Sequence, residues 1–270
     1  MPEILEVETT RQALAARALH RSIAAVDAPD AWYLKRGLTP AVVAAVLPGR
    51  HFIAARRRGK LLLLDTSAPD ARADPVPGPT LGLHLGMTGR VLLDGDPTGD
   101  PLRFASDRDT PAWHRFTVRF ADGGTLVMRD PRRLGAVVLD PDETRLGVDA
   151  FDVTTAQLRA ALTRRRTPIK AALLHQRDVA GLGNLLVDEI LWRAGVDPRR
   201  DASSLTAPEH RRLASAIRTT LRTLARRGGS HTGDLMEARQ PGGGCPRDGA
   251  GLRHDTVGGR STWWCPTHQR

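Results

Sequence analysis

Lysine is nearly missing from this chain. It occurs only at Lys35, Lys60 and Lys170, and arginine supplies almost all of the positive charge. A lone arginine is therefore uninformative here, whereas each lysine stands out. No apolar run is long enough to span a bilayer, which excludes a transmembrane helix. The start is acidic and lacks an apolar h-region, so no secretory signal is read and the cytoplasm is the expected compartment. Cysteine is confined to Cys245 and Cys265, close together near the C-terminus. In a reducing compartment two such cysteines favour metal ligation over a structural disulfide, provided other ligands stand nearby. There is no internal repeat.

What is present is length and basicity. The chain has 270 residues and a net charge of +10, enough to bury one large core or two modest ones. A basic excess spread over a folded chain fits a polyanion partner, most simply nucleic acid. An arginine-rich codon bias without functional meaning is the alternative.

The pattern of elements changes along the chain. Residues 6–20 read as a helix with acid first and base last. Ser22 to Val26 reads as a strand, Pro40 to Leu47 as a short helix, and His51 to Arg57 with Lys60 to Leu64 as a strand pair turning at Gly59. Thr66 to Pro79 is loop by composition. Leu81 to Leu85, Arg90 to Leu93, Phe116 to Phe120, Leu126 to Met128 and Ala136 to Leu139 are further strands, with a polar loop from Asp94 to Thr110. Helical period then takes over, at Thr154–Thr163, Pro168–Arg177, Asn184–Ala194 and Thr206–Arg227. Strands followed by helices predict an α+β protein with an N-terminal domain over 1–140, a linker over 141–153 and a helical domain over 154–228. A Gly-rich module over 240–270 follows.

Four stretches carry candidate chemistry. The chain begins MPEILEVET. Loss of Met1 leaves Pro2 as a terminal secondary amine, a nucleophile titrating near neutrality, beside Glu3, Glu6 and Glu8. The same residues also read as an ordinary helix start. Lys60 follows Arg56-Arg57-Arg58-Gly59 at a strand start, where it either meets a ligand or snorkels to water. In Val179-Ala-Gly181-Leu-Gly183-Asn184 the glycines permit close approach, and Asn184 is placed to cap the next helix, whose N–H groups then face a phosphate. A plain Gly-rich turn with an Asn cap is the other reading. Finally, Cys245-Pro-Arg-Asp248 and Cys265-Pro-Thr-His268 form two knuckles sixteen residues apart. That is a structural zinc layout in a module too small to fold without a staple, although a metal-free hairpin is the alternative.

Taken in order, these pieces resemble the formamidopyrimidine-DNA glycosylase and endonuclease VIII family of base-excision repair enzymes. MPEILEVET is similar to that family's MPELPEVET start. The Gly59-Lys60 strand, HLGMTG at 84–89, DPRRLG at 130–135, VAGLGNLLVDEILW at 179–192 and the terminal knuckles follow at family-like spacing. The resemblance implies an N-terminal β-sandwich with flanking helices, a helix–two-turn–helix domain and a zinc-finger β-hairpin. It further implies a bifunctional glycosylase and abasic-site lyase, acting as a monomer at the nucleoid on damaged double-stranded DNA. By the same resemblance, Pro2 attacks C1′, Glu3 is the general acid/base, Glu6 supports the site and Lys60 holds the phosphate or lesion. Met87, Arg132 and Leu134 fill the space of the extruded base. Lys170, Asn184 and Arg260 grip phosphates, and Cys245, Asp248, Cys265 and His268 hold one structural zinc ion.

Four features depart from the family pattern. Leu5 replaces a proline, Leu134 a phenylalanine, and Asp248 and His268 two cysteines. The stretch from Gly228 to Gly244 is short where purine-specific relatives carry a loop over flipped 8-oxoguanine, so oxidised pyrimidines or ring-opened purines become candidate substrates. A non-catalytic DNA-binding protein on the same scaffold is the rival reading, and the presence together of Pro2, Glu3 and Lys60 argues against it.

Overall fold

The computed structural model describes residues 2–67, 77–99, 106 and 108–270, which form two compact units. One unit holds Pro2 and residues 6–143. The other holds Glu3–Leu5 and residues 144–270. In chain order the elements of the first are α1 (Ile4–Arg17, whose first two residues count with the second unit), β1 (Ile23–Asp27), α2 (Pro40–Val46), β2 (Phe52–Arg58), β3 (Leu61–Ser67), β4 (Pro77–His84), β5 (Arg90–Leu93), β6 (Asp96–Pro97), β7 (His114–Phe120), β8 (Thr125–Arg129) and β9 (Ala136–Leu139).

These strands form two antiparallel sheets, ordered β1-β7-β8-β5-β6 and β2-β3-β4-β9. Ile23, Val91, Phe116, Val118 and Met128 from the first share one core with Phe52, Leu62, Leu64, Leu81, Leu83 and Val137 from the second. Phe52 and Phe120 meet edge to face across it, with ring centroids 6.2 Å apart. Two sheets closed on one apolar layer make a β-sandwich. Alternation places Phe116 and Val118 inward in β7, while Leu62 to Leu64 are buried on both faces of β3. The expected loop over Thr66–Pro79 is corrected at both ends, because β3 runs to Ser67 and β4 begins at Pro77. Proline is tolerated at a strand's first residue, where no ladder N–H is required. The rest of that expected loop, 68–76, lies outside the described residues, as do 100–105 and 107 of the expected polar loop.

In the second unit, β10 (Val148–Asp149) pairs in parallel with β11 (Val179–Ala180). The helices are α3 (Thr155–Leu162), α4 (Ile169–Leu174), α5 (Asn184–Ala194) and α6 (Ala207–Arg227). Thr154 and Thr206 close capping boxes with Gln157 and Glu209 at the starts of α3 and α6. The helix expected to run to Arg177 stops at Leu174. Beyond it the Gln176 side chain bonds Leu174 O, Leu182 O and Gly181 N, which fixes a turn rather than another helical turn. The unit's core runs from Ile4 and Leu5 through Leu158, Ile169, Leu186, Ile190 and Leu213 to Leu224. A hairpin of β12 (Arg253–Val257) and β13 (Arg260–Trp264) follows, turning at Gly258-Gly259 with φ of +58° and +72°. Positive φ at both positions is the two-residue hairpin geometry that glycine supplies without strain.

Candidate active site, nucleic-acid contacts and metal centre

Pro2 is buried directly ahead of α1, and Met1 lies outside the described residues. Glu3 is fully buried. Its two carboxylate oxygens accept the N–H groups of Leu185 and Leu186 at 2.9 and 3.2 Å. These are orphan donors of the first turn of α5, and a carboxylate at the positive helix end satisfies both charge and hydrogen bonding. The expected capping role of Asn184 is therefore corrected. Gly183 occupies the N-cap position and Asn184 is the first helical residue. The anion seated on this helix is Glu3, 182 residues away in sequence, where the sequence reading expected a phosphate. Local spacing cannot reveal a cap contributed from so far along the chain.

The two glycines of the VAGLGN run serve the same docking. Gly181 has φ +111° and its carbonyl accepts Ile4 N at 3.1 Å. A Cβ on Gly183 would fall 2.2 Å from the carboxyl carbon of Glu3. Glu6, in the first turn of α1, is buried as well.

Within the sandwich, Lys60 sits half-buried in the β2–β3 turn after Gly59, whose φ is +57°. Leu61 pairs with His84 at the end of β4. Surrounding protein atoms and the Lys60 ammonium hold the His84 imidazole below its ordinary value, although part of the residue is open to solvent. His84 opens the HLGMTG motif. Sequence reasoning used only Met87 from it and missed the histidine, whose link to Lys60 is a cross-strand one.

Met87, Arg132 and Leu134 are all exposed. Exposed Met and Leu at the tips of two loops need support, and buried Asp130 provides it. Its Oδ1 accepts Thr88 Oγ1 at 2.7 Å and Arg132 N at 3.2 Å. Its Oδ2 accepts Gly135 N at 2.8 Å and Tyr33 Oη at 3.3 Å. One carboxylate thus ties both loops together. A Cβ on Gly86 would lie 2.4 Å from the Leu134 carbonyl carbon, so the two backbones are in direct contact.

Of the three residues expected to grip phosphates in the second unit, Arg260 is exposed beside the Gly258-Gly259 turn. Asn184 is half-buried and donates through Nδ2 to Ser261 O at 3.0 Å. Lys170 is placed inside the unit. It is fully buried, and its Nζ lies 2.7 Å from Asp188 Oδ1 and 2.8 Å from Ser261 O. Asp188 also pairs with Arg239 and accepts Trp263 N at 3.2 Å. Lys170 is thus an internal strut pinning β13 to α4 and α5. Burial lowers its affinity for the proton, and Asp188 partly offsets this.

Cys245, Asp248, Cys265 and His268 converge, their donor atoms all within 4.8 Å of one another. Tetrahedral zinc with bonds of about 2.0–2.3 Å sets neighbouring donors roughly 3.3–3.8 Å apart. Cys245 Sγ to His268 Nδ1 is 3.6 Å, Cys265 Sγ to Asp248 Oδ2 is 3.3 Å and His268 Nδ1 to Asp248 Oδ2 is 3.0 Å. The histidine's other nitrogen, Nε2, lies 3.1 Å from Trp192 O. A carbonyl only accepts, so Nε2 carries a proton and Nδ1 is the atom turned toward the other three ligands. This is the outer-shell arrangement of a metal-bound histidine. Trp192 Nε1 also donates to Cys245 Sγ at 3.3 Å, and Arg247 N at 3.4 Å. The four residues fit a small cation.

Sandwich, helical unit and a hairpin flanked by the Cys245, Asp248, Cys265 and His268 cluster, with Pro2 buried ahead of α1 and Glu3 on a helix N-terminus, together define a class. The profile of the formamidopyrimidine-DNA glycosylase N-terminal domain matches residues 1–137, and that of the same enzyme's H2TH domain matches residues 146–235. A formamidopyrimidine-DNA glycosylase of Paracoccus denitrificans is 38% identical, with all of both chains covered. One from Cereibacter sphaeroides is 41% identical over 88% of this chain and 83% of its own. Among solved structures, Lactococcus lactis Fpg (MutM) bound to DNA containing an oxidised pyrimidine superposes with a TM-score of 0.81 at 26% identity, covering all of both chains. MutM in complex with DNA containing carbocyclic 8-oxo-G gives 0.82, also at 26% identity and full coverage of both. The chain belongs to the formamidopyrimidine-DNA glycosylase family.

Proposed function

We propose that this protein is a base-excision repair DNA glycosylase with abasic-site lyase activity, and that Pro2 is its nucleophile. The observation that carries the reading is the chain's start. Pro2 is buried next to a glutamate whose two oxygens are held by the first N–H groups of α5. A carboxylate fixed in this way is a positioned group rather than a solvated surface acid.

In the proposed reaction the Pro2 nitrogen bonds to C1′ as the C1′–N bond to the damaged base breaks, and the base departs with a proton. Proton transfer to O4′ then breaks the C1′–O4′ bond and opens the sugar, the nitrogen lone pair forms the C1′ iminium, and this iminium acidifies the 2′ protons. Loss of one of these breaks the C3′–O bond, and a second elimination breaks the C5′–O bond. Glu3 moves protons at the sugar ring, Glu6 supports the site, and Lys60 holds the lesion or its phosphate. Met87, Arg132 and Leu134, carried on the Asp130-braced loops, fill the space of the extruded nucleotide. Asn184 and Arg260 bind phosphates. No described helix is long and apolar enough to cross a membrane, and the protein works as a monomer on damaged duplex in the cytoplasm, at the nucleoid.

The ion is zinc. Two thiolates, a carboxylate and an imidazole are a zinc donor set, and the ion's role is to hold the hairpin that carries Arg260. The segment between α6 and the hairpin is pinned, with Glu189 accepting Asp234 N at 3.1 Å and Leu235 N at 2.9 Å and with Arg239 paired to Asp188. With this segment short and tied, oxidised pyrimidines and ring-opened purines are candidate substrates alongside 8-oxoguanine.

Incubation with abasic duplex and borohydride tests the central claim. Processed wild type forms a trapped adduct, while Pro2→Gly and a preparation retaining Met1 form none. Absence of adduct with processed wild type leaves only a DNA-binding protein. Metal analysis, with Cys265→Ser as control, decides the ion, and a kinetic panel of lesion duplexes decides the substrate.

A further inference from the structure

Trp32 is the most open large apolar side chain among the described residues, at 58% exposure. It stands in a single turn of 3-10 helix, Ala31–Tyr33. Lys35 Nζ lies 3.3 Å from the indole centroid and donates to Trp32 O at 2.6 Å. The Arg133 guanidinium is 5.4 Å from the same ring. An exposed indole framed by two cations matches the composition of nucleic-acid contacts.

Its location gives that chemistry a purpose. Arg133 lies between Arg132 and Leu134 and has φ +57°, unusual for a residue with a side chain. Its guanidinium donates to Asp30 at 2.6 and 2.7 Å. The next residue after Trp32, Tyr33, reaches the Asp130 carboxylate that braces both exposed loops. Lys35 N bonds Val137 O at 3.0 Å, just beyond the second of those loops. The acid beside the indole, Asp30, is already engaged by Arg133 and by Arg115 at 3.6 Å. The platform is therefore cationic and mounted on the same frame as Met87, Arg132 and Leu134.

The geometry points to Trp32, with Lys35 and Arg133, as a further DNA-binding site that packs on a nucleotide of the duplex flanking the extruded base. It rests on the glycosylase reading above. The indole covers a base edge or deoxyribose, and the two cations face the adjoining phosphates.

The test uses the full chain and a duplex carrying a tetrahydrofuran abasic-site analogue, followed by fluorescence anisotropy. Trp32→Ala is expected to bind roughly tenfold more weakly, the scale of one lost base–aromatic contact, and Trp32→Phe to recover most of the loss. The emission difference between wild type and Trp32→Phe should fall as DNA is added. Binding of Trp32→Ala within twofold of wild type, with that emission difference unchanged, overturns the site and leaves Trp32 for a protein partner or none. If wild type itself fails to bind the duplex, both readings fall. If only the Trp32 effect is missing, this one falls alone.

Discussion

Lys170→Met separates two roles for one side chain. A phosphate ligand and an internal strut respond differently when the ammonium is removed. In the structure the substitution deletes an ion pair of 2.7 Å to Asp188 and a bond of 2.8 Å to Ser261 O, with both partners of the ion pair fully buried. Breaking a buried pair costs about 3–5 kcal/mol because one charge is left behind. Asp188 keeps Arg239 and the Trp263 N–H, which places the expected loss near the lower end, about 3 kcal/mol. For a unit of this size that lowers Tm by roughly 10 °C. Binding to abasic duplex, measured at increasing salt well below the melting temperature, should keep its slope of log K against log salt. A lost phosphate contact instead reduces the slope by about 0.9, and Arg260→Ala supplies that reference. A slope reduced by that amount with Tm unchanged would refute the strut and put Lys170 on the DNA.

Three further outcomes follow from the same contacts. Gly183→Ala places a methyl group where the Glu3 carboxyl stands; the displaced carboxylate loses the Leu185 and Leu186 N–H groups, so stability should fall by about 2 kcal/mol and borohydride trapping roughly a hundredfold, as misplaced groups do. Asp130→Ala leaves Thr88, Tyr33 and two backbone N–H groups without their acceptor; unfolding stability should drop by about 3 kcal/mol and lesion release should slow, whereas an unchanged release rate would show that the two loops need no brace. Hydrogen bonding from Arg200 holds Glu209 down at about 2 against an ordinary 4.5. Its stabilisation is therefore complete above the ordinary value and lost as pH falls through the lower one. In urea titrations the advantage of wild type over Glu209→Gln, about 1 kcal/mol at neutral pH after solvent screening, should vanish across that window, and a pH-independent difference would refute it.

The places where sequence and structure agree share one property. Phe116 and Val118 alternate with polar neighbours, so β7 was legible. The Asn184–Ala194 reading coincides with α5, because apolar period and the Gly195 that ends the helix are local signals. The disagreements are contacts between distant residues. Nothing near Asn184 announces that Glu3 caps its helix, and nothing near Lys170 announces Asp188 and Ser261 O as its partners. Asp130 read as part of a loop motif, yet it bonds Thr88 and Tyr33 from other parts of the chain.

The sequence by itself determined the two-part layout and the family, and it singled out Pro2 as the candidate nucleophile and Cys245, Asp248, Cys265 and His268 as candidate metal ligands. Each of these is written in residue order or spacing, because strand alternation, helical period and the reach of a knuckle span only a few residues. The tertiary structure alone decided what each polar group faces. Packing brings Glu3 to the donors of α5 and removes Lys170 from solvent. It leaves Trp32 in the open between two cations, since hydrogen bonding and burial depend on neighbours that the fold supplies.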